Sequence, residues 1–289
     1  MDIAYLNTSI LKFNPQAADP SFGSDVVILD LEDAVHARDK DTARAMLAQL
    51  ELGPLLARGL RFGLRINSLM SLAGLQDLAA LDAFLRRQPG SLLFVQLPKV
   101  ESDFEIRLCR TVLREGGQAL RVVPIIETPG GVAQLEAIAA LSDAMMFGRV
   151  DMGASLYRSN AAYLAYARGR FCAACAQRGI AAIDTANFGS GADIMNLAAF
   201  EQDCLDGRAE GFTARAVVHP NQVAVVKRIF ALPEDELQAC LGTITAYAEA
   251  HTGFSVVDGR VIAPPFVARA RKMLNLYQYP QGDAACTLN

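Results

Sequence analysis

The sequence predicts an α/β fold, a (β/α)8 TIM barrel with a C-terminal helical extension, from two observations. Short apolar segments alternate along the chain with longer segments rich in Ala and Leu. Several of the short segments, such as VVILDL at 26–31 and VVPIIE at 122–127, are nearly continuous apolar runs, which is typical of parallel strands buried on both faces. Eight such segments separated by helices favour a closed barrel over an open sheet.

The eight predicted strands share a short length and an apolar composition. In chain order they are Ile3–Ser9, Val26–Glu32, Phe62–Asn67, Ser91–Val100, Arg121–Thr128, Ala144–Asp151, Ile180–Thr185 and Ala214–His219.

Longer segments of helical character lie between and after these strands. Examples are Lys40–Glu51, Leu72–Arg87, Ser102–Glu115, Val132–Ala140, Gln222–Phe230 and Glu234–Glu249. We expect one barrel domain over residues 1–289, in which residues from about 230 to 289 form a C-terminal helical segment and tail. The polar tail after about Tyr277 either extends onto a neighbouring subunit or is a disordered end.

Composition excludes several classes of function. The chain has 289 residues, 52% of them hydrophobic, and a net charge of −4, so it can bury a large core and has no basic surface suited to nucleic acid. No apolar segment is long enough to span a membrane, and the N-terminus lacks a secretory signal pattern. We expect a cytoplasmic protein.

The six cysteines are irregularly spaced, which favours reduced thiols over a disulfide framework. Cys172 and Cys175 form a CxxC pair, but the pair lies in an Ala-rich helical segment and no second pair exists. Packed helix cysteines are therefore favoured over a zinc site.

Polar residues end almost every predicted strand, and strand ends form the active site of a TIM barrel. The polar residues at the ends of the second to eighth predicted strands include Asp30, Glu32, Asp33, Arg65, Asn67, Lys99, Glu101, Glu127, Arg149, Asp151, Asp184 and His219. Carboxylates that converge in one cavity repel each other unless a cation lies between them.

Glu127 and Asp151, on neighbouring predicted strands, are the candidate ligands of that cation. Magnesium prefers hard oxygen ligands and usually takes one or two protein carboxylates, with manganese as an alternative, whereas zinc would call for His or Cys. Each carboxylate taken singly could equally cap a helix or form a structural ion pair. Arg65 could pair with a neighbouring acid or bind a substrate carboxylate in bidentate fashion. The joint occurrence of these residues favours a site.

An ordered set of motifs resembles the citrate lyase β-subunit-like members of the HpcH/HpaI aldolase/citrate lyase family. The motifs cover residues 25–270 approximately and are VVILDLEDAV at 26–35, RIN at 65–67, LPKVE at 97–101, PIIETPGGV at 124–132, FGRVD at 147–151, AAIDT at 181–185 and VVHPNQV at 217–223.

This resemblance implies a barrel that assembles as a homotrimer or hexamer. It implies magnesium held by Glu127 and Asp151, Arg65 near the substrate's carbonyl and carboxylate, and Glu32 and Asp33 behind the water shell of the metal. Members of the family cleave or form carbon–carbon bonds in 3-hydroxy acids or their CoA thioesters, such as citryl-, malyl- or citramalyl-CoA. The products include oxaloacetate, glyoxylate or pyruvate.

These residues suit such chemistry. Arg65 would stabilise negative charge on an enolate or thioester oxygen. Backbone amides around Gly130, Met152 and Gly153 are candidates for binding the substrate carboxylate. The proton would be moved by Glu32, by Asp33 or by a hydroxide at the metal, and the sequence leaves this choice open.

The N-terminal strand departs from the family pattern, which makes the use of CoA an open question. The family usually reads R-S-x-L-F-V-P-G here, whereas this chain reads AYLNTSILKFNP, so the arginine has only a loose substitute in Lys12. Lys12, Lys40 and Arg44 are the candidates for holding CoA phosphates.

The leading hypothesis is thus a magnesium-dependent carbon–carbon lyase or aldolase. The alternatives are a CoA-independent 2-oxo-acid aldolase or condensing enzyme, a CoA-thioester hydrolase, and a non-catalytic binding descendant of the fold.

Overall fold

The computed structural model describes residues 1–158, 160–185, 193–250, 253–257 and 259–278. Eight parallel strands close into a barrel in chain order, so the predicted fold is confirmed. The strands are β1 Ala4–Ser9, β2 Val26–Asp30, β3 Phe62–Arg65, β4 Phe94–Leu97, β5 Arg121–Ile126, β6 Ala144–Phe147, β7 Ala181–Thr185 and β8 Ala214–Val217.

Helices follow the strands around the outside of this ring. They are α1 Lys40–Gln49, α2 Gly53–Leu56, α3 Leu72–Arg87, α4 Asp103–Glu115, α5 Pro129–Ala133, α6 Leu135–Ala139, α7 Arg149–Ala154, α8 Ala161–Arg178, α9 Leu197–Glu210 and α10 Val223–Phe230.

Strand β1 closes the barrel by pairing with both of its neighbours. Tyr5 lies opposite Val26 of β2 and Ala216 of β8, in parallel register on both sides. Because all eight strands have two partners, none of them presents an unpaired edge.

The predicted strand Ala144–Asp151 was too long, and this changes the setting of Asp151. Phe147 is the last residue that pairs with β5, opposite Ile126. After Gly148 the chain forms α7, so Asp151 lies in the first turn of a short helix rather than at the end of a strand. The predicted helix Val132–Ala140 likewise forms two short helices, α5 and α6, which meet at Gln134.

A buried ion network joins β7 and β8 to the helices that cover them. Asp184 of β7 is fully buried and accepts two hydrogen bonds from Arg168 of α8, at 2.8 and 3.0 Å. Arg215 of β8, also fully buried, donates to Asp184 at 3.1 Å and pairs with Asp203 of α9. Charged groups at such depth are tolerated because each has a partner.

The chain divides into two compact units, Asp2–Phe230 and a second unit that begins at Ala231. In the second unit α11 (Glu234–Glu249) packs against α12 (Pro264–Leu276). The strands β9 (Ser255–Val257) and β10 (Arg260–Ile262) form an antiparallel pair. The predicted packing of this segment on a neighbouring subunit stays a prediction, and residues 279–289 of the tail lie outside the described residues.

Two further features are the apolar character of the helices and the state of the cysteines in α8. Within the described ranges, no helix has both the length and the apolar character needed to cross a lipid bilayer. Cys172 and Cys175 are free thiols buried in α8, as expected for packed helix cysteines.

Candidate active site

A cavity of about 220 Å³ lies at the ends of the barrel strands. Its polar lining includes residues on or shortly after six different strands, namely Asn7, Asp33, Arg65, Glu127, Asp151 and Thr185. Apolar side chains such as Ile125, Met146 and Val217 form part of the wall. The structure therefore brings together four of the residues that the sequence singled out, namely Asp33, Arg65, Glu127 and Asp151.

Arg65 is held in a fixed orientation by two acids of the β2 end. Its Nε donates to Asp30 Oδ1 at 2.8 Å, its Nη2 donates to the other Asp30 oxygen, and its Nη1 lies 3.0 Å from Glu32 Oε2. Burial opposes the charged guanidinium, but Asp30 and Glu32 outweigh it and raise the pKa of Arg65 above its ordinary value. These acids take three of the five N–H donors of a guanidinium, so two can serve a ligand in the cavity.

Glu32 is fully engaged by its neighbours. Its carboxylate contacts Arg65 and accepts from Lys99 Nζ at 2.5 Å and from the backbone N–H of Asp33 at 3.0 Å. Only 6% of its side chain is exposed. Both oxygens of this carboxylate are thus already taken by donors of the protein.

Asp33 differs from Glu32 in its surroundings. Its side chain is 58% exposed and lines the cavity, and its nearest cation is Lys99, 3.8 Å away. Of the two candidate bases, Asp33 is thus the one whose carboxylate remains open to a ligand.

Glu127 directly follows β5 and is buried against other acids. Burial, and then the neighbouring carboxylates of Asp151 and Glu32, raise the pKa of Glu127 to about 8. Its Oε1 accepts the backbone N–H of Lys99 at 2.8 Å. Its Oε2 lies close to Gly148, where a Cβ atom would come within 2.2 Å of it.

Helix α7 carries Asp151 to the cavity and is tied to the strands beside it. The backbone N–H of Arg149 donates to Thr185 Oγ1 at 3.2 Å, and Thr185 in turn donates to the carbonyl of Phe147 at 2.8 Å. The guanidinium of Arg149 points away toward Asp203 and Asp184. The hydroxyl of Thr185 and this ion pairing fix the start of α7, and with it the position of Asp151.

Magnesium fits the chemistry of this donor set. Glu127 and Asp151 offer carboxylate oxygens, and neither His nor Cys lines the cavity as described. Among the described residues, no group of three or more His, Cys, Asp or Glu side chains is arranged to bind a metal ion. Magnesium commonly needs only one or two protein carboxylates, because water and substrate provide its other ligands. Burial and then the neighbouring carboxylates raise the pKa of Glu127, and a divalent cation beside its carboxylate would offset both effects.

The predicted backbone binders of substrate lie outside the lining of this cavity. Gly130 is in the first turn of α5, where the carboxylate of Glu101 lies close enough to meet a Cβ at 2.7 Å. The Met152 N–H donates to the Gly148 carbonyl at 3.0 Å and is already used within α7. Gly153 also lies in α7, with open space beside its Cα.

The three cations predicted to hold CoA phosphates have different environments. Lys40 donates to the carbonyls of Leu31 and Glu32 at 2.7 and 2.6 Å, and burial lowers its pKa from the ordinary value. Arg44 pairs with Asp77 at 2.8 Å and also with Asp41. Lys12 is exposed, in a short 3-10 turn after β1.

Sequence reasoning did not select two residues that the structure places at the site. Lys99 was noted at the end of β4, but candidates were sought among the acids and arginine. Asn7 lies in β1, lines the cavity, and has a buried side-chain oxygen without a hydrogen-bond partner. A polar residue within an apolar strand was the signal that could have identified it.

The chain is similar to known proteins over most of its length. Residues 13–220 match the model of the HpcH/HpaI aldolase/citrate lyase family. The chain belongs to this family. It is 28% identical to human mitochondrial citramalyl-CoA lyase over 286 residues, covering 89% of this chain and 80% of that protein. It is 29% identical to the citrate lyase subunit beta of Escherichia coli K12, covering 88% and 86% respectively.

Solved structures of similar proteins agree with this assignment. RipC from Yersinia pestis is 31% identical, with a TM-score of 0.67 over 82% of this chain and 98% of that one. CitE from Mycobacterium tuberculosis, in complex with magnesium, acetoacetate and coenzyme A, is 25% identical, with a TM-score of 0.73 over 96% and 98%. The predicted family and the carbon–carbon lyase class are therefore confirmed.

Proposed function

We propose that this protein is a magnesium-dependent lyase that cleaves a 3-hydroxyacyl-CoA thioester into an acyl-CoA and a 2-oxo acid, or catalyses the reverse condensation. The observation that carries the proposal is the convergence of Glu127, Asp151 and Arg65 in one cavity with Asp33 at its side. Relatives named citramalyl-CoA lyase and citrate lyase support the reaction class. The CitE structures with magnesium, coenzyme A or oxaloacetate support the cofactor and the type of ligand.

In this proposal Glu127 and Asp151 would hold magnesium, which would supply Lewis acidity to the reaction. Asp33 accepts the proton of the substrate hydroxyl, since Glu32 is held between two cations. The hydroxyl carbon becomes a carbonyl as its bond to the neighbouring carbon breaks, and the electron pair of that bond forms the enolate of the acyl unit. Uptake of one proton at the enolate carbon then gives the acyl-CoA. The two remaining N–H donors of Arg65 stabilise the developing oxyanion.

We assign CoA contact to Lys12 rather than to Lys40 or Arg44. The Lys12 side chain is exposed, whereas Lys40 and Arg44 already bind carbonyls and carboxylates of the protein. The same observation favours a second candidate, an aldolase that acts on free hydroxy acids, because two of the three predicted phosphate-binding cations are used internally.

The test is magnesium-dependent cleavage of citryl-, malyl- and citramalyl-CoA beside the free hydroxy acids, with the 2-oxo acid trapped as it forms. We expect turnover only with magnesium, and its loss in Glu127→Gln. Glu136→Gln, an exposed carboxylate on α6 that pairs with Arg170, serves as the matched control. Turnover of free acids alone would favour the second candidate, and turnover without magnesium would contradict both.

We also propose that the protein is a homotrimer or hexamer in the cytoplasm. Analytical ultracentrifugation of the full chain tests the assembly, and a monomer at micromolar concentration would contradict it.

A further inference from the structure

Lys99 contacts four acids of the site. Its ammonium lies 2.5 Å from Glu32 Oε1, 3.5 Å from Asp151 Oδ1 and 3.8 Å from Asp33 Oδ2. Its backbone N–H donates to Glu127 Oε1 at 2.8 Å. Side chain and backbone of one residue thus reach both proposed metal ligands and both candidate bases.

The backbone of Lys99 adopts a conformation that L-residues avoid. Its φ is 56°, in the left-handed region, which costs a non-glycine residue about 1–2 kcal/mol. Such conformations persist where the surroundings require them, and they concentrate at functional sites. Here the left-handed turn lets the N–H point to Glu127 while the side chain turns back toward Glu32.

The charges around the cavity show what the ammonium balances. Arg65 pairs with Asp30 and Glu32, and the guanidinium of Arg149 is directed to acids outside the cavity. Among the described residues, Lys99 is the cation that lies within 4.0 Å of both Asp33 and Asp151.

We propose that Lys99 is a built-in counter-ion of this carboxylate cluster. It is a positioning residue that orients Glu32 and Glu127 and, by its charge, lowers the affinity of the cluster for the divalent cation. This inference rests on the proposed function, because it assumes that the cation binds at Glu127 and Asp151.

The two parts of this role have opposite consequences when the charge is removed. An ammonium 3.5 Å from Asp151 repels a divalent cation at the same carboxylate, so a neutral residue should strengthen magnesium binding. The same change takes one of two cations from Glu32 and loosens the cluster, so turnover should fall. A purely structural lysine would weaken magnesium binding and turnover together.

The experiment is calorimetric titration of magnesium into the substrate-free full chain. The variants are Lys99→Met and Lys99→Gln, which are neutral, and Lys99→Arg, which keeps the charge. We expect the magnesium Kd of the neutral variants to fall about tenfold, and that of Lys99→Arg to stay within about threefold of the parent. We expect kcat of the neutral variants to fall by at least about tenfold.

Each outcome is informative. Tighter magnesium binding in either folded neutral variant, with lower kcat, supports the inference. Equal or weaker binding in the folded neutral variants overturns it, as does a failure of both to fold while Lys99→Arg folds, since the role would then be structural. If the parent protein itself does not bind magnesium, the proposed function fails first, which distinguishes the two failures.

Discussion

Gly148 shows how a single residue controls the candidate site. A methyl group at this position would lie 2.2 Å from Glu127 Oε2 and 2.5 Å from its Cβ, which is closer than atoms can pack. The carboxylate tip could swing away, but the Cβ of Glu127 is fixed by the end of β5. Glycine is needed here because it leaves room for the side chain of Glu127, the proposed magnesium ligand. Its φ of −86° is one that any residue can adopt.

We expect Gly148→Ala to displace Glu127 and to reduce magnesium-dependent turnover by about a hundredfold, the scale of a misplacement of about 1 Å. Calorimetry should show weaker magnesium binding. Gly169→Ala, in α8 where a Cβ meets open space, is the control and should keep both properties. Unchanged magnesium affinity in Gly148→Ala would contradict the placement of the metal at Glu127.

Asn7 combines a buried oxygen that has no partner with a place in the cavity wall. We expect a substrate donor to satisfy it, so Asn7→Leu should lower kcat/KM about tenfold. The free energy of unfolding should stay equal or rise, since the change removes an unsatisfied polar group. Steady-state kinetics and urea unfolding test this, with Thr8→Val as the control. A loss of stability with unchanged kcat/KM would assign Asn7 to the fold.

At this scale the sequence predicts residue types well and their partners poorly. Arg65, Glu127 and Asp151 could be chosen because strand ends converge in any barrel. The contact of Glu32 with two cations could not be predicted in this way. It depends on the left-handed backbone of Lys99, and no local sequence pattern predicts that conformation.

At the scale of elements, β7, β8, α8 and α9 form the part of the barrel most dependent on charge. Asp184 contacts Arg168 and Arg215 and lies 3.6 Å from Arg149, which begins the helix that carries Asp151. The same network therefore holds two strands to their helices and supports one end of the site.

We expect Asp184→Ala to lower the free energy of unfolding by about 3–5 kcal/mol, because it leaves buried arginines without their partner. Urea unfolding followed by circular dichroism measures the change. Glu201→Ala, which removes an exposed ion pair with Arg228, should leave the urea midpoint essentially unchanged. A similar shift in both variants would show that the burial of Asp184 is energetically unimportant.

The alternation of apolar segments predicted the eight strands, because buried parallel strands must be apolar throughout. It misplaced the end of β6, where FGRVD continues with mixed polarity while the backbone already turns at Gly148. Whether a segment is a strand or a helix can be predicted from its own composition. The residue at which a strand ends depends on its pairing with neighbouring strands, which are distant in sequence.

At the scale of the molecule, the closed barrel occupies the first compact unit, Asp2–Phe230. Each of its strands has both partners inside this unit. The structural requirements of a barrel are thus met before residue 231.

We expect a chain truncated after Phe230 to fold into the barrel. Far-UV circular dichroism should show helical structure, and urea should unfold the fragment in one cooperative transition with a smaller m-value than the full chain, because less surface is exposed. A fragment without a cooperative transition would show that the C-terminal unit is required for folding.

The pairing of β1 with β8 also means that the barrel has no structurally privileged first strand. The register from Ala4 to Arg215 is the same kind of parallel ladder as the other seven contacts, and α10 packs against both β1 and β8. The two chain ends of this unit therefore come to neighbouring positions on the ring. A gene rearranged to join them through a linker, and opened instead at the exposed turn around Gly90, would encode the same ring in a different order, a circular permutation that leaves the ligand cavity intact.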